Sequence, residues 1–202
     1  MARPKSFDEA AVLDQAIQLF WQRGYEGTSL ADLETHLGLG RQSLYNTFGD
    51  KHALFLKALE RYKEGWGAAA VAPLVVPGAG LEAIRGFFRS AVENLTVPGP
   101  RRGCLFTNTI SERAGADPEA LVRCDHARQA VERLFRRALA QAQKRGELPQ
   151  RLDVDATATL LSIQNYGLNV MAKTGATRSE LNAAVEALLE GLTERSQTWR
   201  HR

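Results

Sequence analysis

The run Arg41-Gln42-Ser43-Leu44-Tyr45-Asn46-Thr47-Phe48 sets six polar side chains around two apolar ones spaced four apart. On a helix, Leu44 and Phe48 then form an inward anchor, and Arg41, Gln42, Ser43, Tyr45, Asn46 and Thr47 remain for the outer face. Those side-chain types read duplex DNA. Arg41 and Gln42, near the helix start, suit base edges, because a guanidinium pairs with guanine and a carboxamide with adenine. The hydroxyls of Ser43 and Tyr45 suit phosphate oxygens. Lys51, in the first turn of the next helix, brings an ammonium beside backbone amides that already favour an anion. Thr28, at an earlier helix start, can do the same with its hydroxyl and amide. Arg3 and Lys5 make a short basic arm aimed at the backbone or the minor groove. The competing reading of these residues is the solvated surface of an ordinary three-helix domain.

The elements that must position this face are legible on either side of it. Ser6-Phe7-Asp8-Glu9 fits a capping box, with Ser6 as N-cap and Glu9 at the third helical position. Ala10, Leu13, Ile17 and Phe20 follow as one apolar stripe, and Gly24 closes the helix. In the next segment Thr28 or Ser29 can cap. Leu30, Leu33 and Leu37 supply a buried face, and Ala31 is small enough for close packing. Gly38 takes the turn without steric cost. Gly49 stops the polar helix, and Asp50 caps a longer one running to about residue 70, with Ala58, Leu59, Tyr62 and Trp66 near one face. Two short helices joined at a glycine and braced by a third make a helix-turn-helix.

These residues also carry a family resemblance. The stretch Phe20-Trp21-Gln22-Arg23-Gly24-Tyr25-Glu26-Gly27-Thr28-Ser29-Leu30-Ala31-Asp32-Leu33, followed by Gly38-Leu39-Gly40 and by Leu44-Tyr45-Asn46-Thr47-Phe48-Gly49-Asp50-Lys51, resembles the TetR/AcrR family of bacterial transcriptional regulators. The likeness covers about residues 7–55 at many fixed spacings. It implies phosphate contacts for Tyr45 and Lys51, and a variable recognition helix for Arg41, Gln42, Ser43, Asn46 and Thr47. Glu34-Thr35-His36 departs from the family's usual Ile-Ala and alters the helix surface without touching the leucine stripe. The resemblance further implies a helical ligand domain that dimerises through its last two helices.

Beyond the N-terminal module, residues 71–80 read as a loop because of their two prolines and two glycines. Helical patterns resume over about 81–96, 103–114, 118–146, 153–173 and 179–198. In the fourth of these, Ala156, Leu160, Ile163, Gly167 and Val170 are spaced as a coiled-coil seam. In the fifth, Leu181, Val185, Leu188 and Leu192 are spaced likewise. Leu161 and Leu189 lie off these seams, so both helices are apolar on more than one side, as in a four-helix dimer interface. Gly167 and Gly191 sit mid-helix at a cost of about 1 kcal/mol each relative to Ala. Either can permit close approach between subunits or simply make room for a bulky neighbour. A symmetric dimer would present two recognition helices to a near-palindromic operator, and an effector that favours another separation would loosen the complex.

The resemblance places Trp66, Phe87, Phe88, Phe106 and Tyr166 on helices that enclose an effector pocket, to which Cys104 and Asn108 add polar groups. Core packing is the alternative for each aromatic ring. Arg101-Arg102-Gly103-Cys104-Leu105-Phe106-Thr107-Asn108-Thr109 is similar to a G-C-L-x-x-N-T run in one group of these regulators. Cys104, at a helix start after two arginines, has a setting that suits a reactive thiol, so a redox or electrophile switch stands beside a packing role. Cys124 looks structural.

The chain has 202 residues, 44% hydrophobic and 24% charged, enough to bury a sizeable core and too apolar for a disordered chain. Its formal net charge is +3, and residues 1–65 net −1, so DNA binding cannot be argued from bulk charge. No apolar run approaches a membrane span, the N-terminus is not a signal peptide, and two cysteines make no disulfide framework; a cytoplasmic home is expected. His36, His52, His126 and His201 show no metal-ligand spacing, no nucleotide or catalytic motif is present, and no cofactor is called for. The sequence thus predicts an all-α chain of about nine helices. A three-helix helix-turn-helix domain over 1–50 precedes a larger ligand-binding and dimerisation domain over 51–202. The expected function is a ligand-responsive homodimeric repressor released from its operator by a small molecule. A redox switch at Cys104, or a helical small-molecule-binding or enzyme module without DNA contact, is the alternative. Repression and activation are not separable from sequence.

Overall fold

The computed structural model describes residues 7–194. Among them the chain is all-helical, with α1 (Glu9–Arg23), α2 (Leu30–Leu37), α3 (Arg41–Phe48), α4 (Lys51–Tyr62), a π turn (Lys63–Gly67), α5 (Ala68–Val75), α6 (Leu81–Leu95), α7 (Leu105–Arg113), α8 (Pro118–Lys144), α9 (Val154–Lys173) and α10 (Arg178–Glu194). The chain divides into two compact units. One comprises Met1–Gly67 with Cys104–Asp125, the other Ala68–Gly103 with His126–Arg202.

In the first unit α1 starts two residues later than the sequence predicts. Asp8 is its N-cap, accepting from the amide of Ala10 at 2.9 Å; Ser6, Arg3 and Lys5 lie outside the described residues. The buried face of α1 is Val12, Ala16, Ile17, Leu19 and Phe20, with Ala10 exposed and Leu13 only half-buried, so packing against α2 and α4 selects a different stripe from the one the spacing predicts. Ser29, not Thr28, caps α2 through a reciprocal box with Asp32. Leu33 and Leu37 are buried, Leu30 is half-buried and Ala31 faces outward, so Ala31 is not a packing contact. Gly38 adopts the left-handed conformation at the turn, with φ of 63°, which a side chain would resist. Leu44 and Phe48 anchor α3 as its spacing demands. Asp50 caps α4 by accepting from Ala53 at 2.8 Å. α4 packs along α1, and the guanidinium of Arg61 donates twice to the Asp14 carboxylate, at 2.9 and 3.0 Å.

The longer helix expected to reach residue 70 ends at Tyr62 and passes into the π turn, an uncommon geometry that carries Trp66. Residues 68–75 are helical despite Pro73, which corrects the expected loop. The helix is only two turns long, so the missing proline amide forfeits one internal bond, and Pro73 packs 3.6 Å from the Cβ position of Gly86 on α6. This extra helix accounts for ten α-helices among the described residues where about nine are expected.

The second unit's core includes Leu74, Phe88, Phe135, Leu139, Leu161 and Leu189. From α10, Leu181, Val185, Leu189 and Leu192 all enter it. α9 behaves differently. Leu161, Leu168 and Ala172 are buried, whereas Ala156, Leu160, Ile163, Gly167 and Val170 are all exposed, Ile163 by 63%. Among the described residues no helix is long and apolar enough to cross a membrane.

Candidate nucleic-acid interface

The outer face of α3 emerges as the spacing requires. Arg41, Gln42, Ser43, Tyr45 and Asn46 are exposed and Thr47 is half-buried, while Leu44 and Phe48 are buried beneath them. Gln42 donates from Nε2 to Oδ1 of Asn46 at 2.8 Å, one helical turn on. The guanidinium carbon of Arg41 lies 6.0 Å from the centre of the Tyr45 ring. The end of α3 is held by Lys57, whose ammonium reaches the carbonyl oxygens of Thr47 and Phe48, each at 3.3 Å. A cation at a helix C-terminus is electrostatically favoured.

Thr28 does not present its hydroxyl to a partner outside. It is fully buried, its Oγ1 donates to the carbonyl of Gly24 at 2.7 Å, and its amide donates to Tyr25. Both groups expected at a phosphate are therefore spent on the α1–α2 turn. Lys51 is half-buried with Nζ 4.0 Å from the centre of the Tyr25 ring, a cation–π distance. Burial holds its ammonium pKa below the usual lysine value, and the nearby Arg113 charge adds to this against the opposing pull of Glu26 and Glu112.

Residues to which the sequence assigns no role at the site build the support behind this face. The carboxylate of Glu112, on α7, accepts from the backbone amides of Tyr25 and Glu26 at 2.9 and 2.8 Å. Arg113 lays its guanidinium carbon 4.5 Å from the Tyr25 ring centre and is ion-paired to Glu26. Asp117, buried at the start of α8, accepts from the Ala120 amide and from the His52 ring nitrogen, both at 3.0 Å. The end of α7 and the start of α8 thus grip both the α1–α2 turn and the first turn of α4. Only the Asp117-Pro118 pair carried a local signal, a capping acid before a proline at the first helical position. The partners of Glu112 and Arg113 lie more than eighty residues away in the chain, at separations of 86 and 87.

The expected pocket residues fall in both units. In the first, Trp66 on the π turn stacks with Tyr62 at 6.1 Å and meets Trp21 edge-on. Phe106 lies edge-on to Tyr62 at 5.2 Å. Cys104 is the N-cap residue of α7 and receives the Tyr62 hydroxyl at 3.7 Å; burial drives that phenol's pKa well above its ordinary value. Asn108 is half-buried on α7. In the second unit, Phe87 and Phe88 pack with Phe135 at 5.0 and 5.8 Å as core residues, and Tyr166 is half-buried on α9. Cys124 is fully buried, with its thiol pKa pushed up to about 12 by burial. Among the described residues no cluster of His, Cys, Asp or Glu can hold a metal ion.

A helix-turn-helix whose second helix bares a polar face, carried on an otherwise all-helical chain, defines the class of DNA-binding transcriptional regulators. Comparison with known proteins makes this specific. Residues 12–58 match the model of bacterial regulatory proteins of the tetR family, and residues 80–197 match the tetracyclin repressor-like C-terminal domain. The HTH-type transcriptional regulator YezE of Bacillus subtilis (strain 168) is 39% identical, over 95% of this chain and 100% of its own length. The HTH-type transcriptional repressor ComR of Escherichia coli (strain K12) is 37% identical, over 89% of this chain and 86% of its own. A cysteine mutant of the TetR family regulator CifR, solved with 26 bp double-stranded operator DNA, superposes with a TM-score of 0.81 at 32% identity, over 95% of this chain and 100% of that one. The chain belongs to the TetR family and is a DNA-binding transcriptional regulator, not an enzyme. Family membership also sets aside the reading of a helical module without DNA contact.

Proposed function

We propose that this protein is a homodimeric repressor that holds a near-palindromic operator and releases it when a small-molecule effector binds. The observation that carries the reading is the bared face of α3, where Arg41, Gln42, Ser43, Tyr45 and Asn46 stand exposed above a buried Leu44–Phe48 anchor. Arg41 and Gln42 read base edges; Ser43, Tyr45 and Lys51 hold phosphates; Asn46 and Thr47 complete the recognition helix. CifR was solved on operator DNA and ComR bears the name of a repressor, which supports the same role here. Residues 1–50, with Lys51 at the start of the next helix, carry the DNA contacts, and the rest of 51–202 carries effector binding and dimerisation in the cytoplasm, where the operator is. The outward face of α9, with Leu160, Ile163, Val170 and Met171, supplies the bulky side of the dimer contact, and the exposed Ala183 and Ala187 of α10 supply the small side. Trp66, Cys104, Phe106 and Asn108 are the effector-contacting candidates of the first unit and Tyr166 that of the second, while Phe87 and Phe88 serve as core residues of the second unit.

The test is footprinting upstream of the encoding gene, followed by binding at several salt concentrations. Lys51→Ala should weaken binding to every duplex and lower the salt slope by about 1. Arg41→Ala should instead change base preference. A chain that binds no duplex preferentially at modest ionic strength defeats the reading. A second reading, a thiol switch at Cys104, is favoured by the Tyr62 hydroxyl at its sulfur; it fails if Cys104→Ser leaves the oxidant response of DNA binding unchanged.

A further inference from the structure

A 2.8 Å hydrogen bond joins the Gln42 and Asn46 side chains on the exposed face of α3. Both residues are exposed, and they stand one turn apart, so their side chains share one strip of the helix. An unsupported glutamine at a groove has three side-chain torsions to freeze before its amide can meet a base, at an entropic cost that erodes discrimination. The Asn46 oxygen removes much of that freedom before DNA arrives.

The stoichiometry of the bond matters as much as its existence. A carboxamide has two N–H donors and one oxygen with two acceptor sites. Gln42 commits one N–H to Asn46 and keeps the other, together with its Oε1. That remaining donor–acceptor pair is what the major-groove edge of adenine requires, an N–H for N7 and an oxygen for the N6 amino group. The bond to Asn46 leaves Oε1 unused, and made through the N–H anti to Oε1 it also leaves the syn N–H that pairs with Oε1 on the adenine edge.

We propose that Asn46 is a positioning residue for specificity, holding the Gln42 carboxamide in the orientation that selects adenine at one base pair of each half-site. Asn46 acts through Gln42 and specifies no base of its own. This deepens the proposed reading of α3 and rests on it. Neighbouring polar residues do not duplicate the arrangement: Arg41 leans toward Tyr45.

The experiment uses the full chain and a duplex operator, with each base pair of one half-site varied in turn at fixed ionic strength. Gln42→Ala should abolish the preference for adenine at a single position, about a tenfold change. Asn46→Ala should lose most of that preference at the same position, with preferences elsewhere and the salt slope unchanged. The double variant should lose no more than Gln42→Ala alone. Asn46→Asp keeps an acceptor oxygen, so it should retain adenine preference while binding all duplexes more weakly, through repulsion from the phosphates. Both residues are exposed, and the thermal midpoint of each variant should match that of the parent chain. Loss of preference at a different base pair in Asn46→Ala, or none anywhere, overturns the positioning role while leaving the function intact. No change of preference in Gln42→Ala overturns the reading of α3 itself.

Discussion

Asp117 shows how much rests on single side chains away from the groove. Its carboxylate is almost fully buried and answers three groups: the Ala120 amide, the His52 ring and, at 3.6 Å, the Arg113 guanidinium. Burial alone would raise its pKa, but the amide and His52 bonds outweigh burial and hold it below the ordinary carboxylate value. A carboxyl depressed in the folded state contributes stability that is complete above the unfolded value, ~3.8, and fades as pH falls through the folded one. Asp117→Ala should cost about 2 kcal/mol near neutral pH, a lost cap plus a lost charge-assisted bond. Thermal unfolding of parent and variant from pH 7 down to pH 2 checks this: the gap in midpoint should be constant to about pH 4 and then close. A gap that widens in acid would contradict the assigned direction. Little of this was readable beforehand. The Asp117-Pro118 cap is a local pattern, but His52 and Arg113 reach Asp117 only because the chain folds back, and no periodicity encodes that.

Helix ends set by a capping acid or a glycine were legible, because capping is a contest among near neighbours: Ser29 and Asp32, Gly38, Gly49 and Asp50 all act where their types predict. The structure departs from these local patterns where tertiary contact decides. The prolines and glycines of 71–80 predict a loop, yet Pro73 packs against Gly86 within two turns of helix. The type and place of Thr28 predict a surface cap, yet it faces inward to close the α1–α2 turn. That turn yields a prediction. Gly24 has φ of 78° and ψ of 176°, a region essentially restricted to glycine, and a Cβ there would stand 2.8 Å from the Glu112 carboxylate oxygens. Gly24→Ala should therefore destabilise the chain by about 2 kcal/mol or more, from backbone strain and from displacing a carboxylate that satisfies two amides. Glu112→Ala should cost about 1 kcal/mol, since water can replace an exposed acceptor. Denaturant unfolding of the singles and the double separates the causes. In a Glu112→Ala background the alanine at position 24 should still be unfavourable, by the strain alone, and a neutral effect there would show that crowding was the whole penalty.

For the whole molecule the decisive feature is the split character of α9. Spacing alone assigned Ala156, Leu160, Ile163, Gly167 and Val170 to one seam and left Leu161 off it, but it could not say which row faces the core. The structure buries Leu161, Leu168 and Ala172 and leaves the seam itself in solvent, so the helix has filled its own unit with the other row. Gly167 belongs to the outward row, and a Cβ built there meets nothing within 4 Å, which removes the need for a bulky neighbour inside the subunit. An apolar row of this kind is favourable only if another surface covers it. If a second copy does so, its recognition helix is carried at a fixed spacing from the first, and two weak half-site contacts become one strong one through effective concentration. Ile163→Asp tests that coupling. A buried carboxylate at the centre of the contact should produce monomers by analytical ultracentrifugation, with a thermal midpoint showing that each subunit remains folded. Operator affinity should fall by more than a hundredfold, on the order of the avidity a linked pair provides, while affinity for an isolated half-site stays at the parent's weak value. Because α3 is untouched by the change, loss of half-site binding as well would mean that α9 supports the DNA unit directly. A dimer that survives both Ile163→Asp and Gly167→Leu would place the contact elsewhere, and the outward row of α9 would need a different partner.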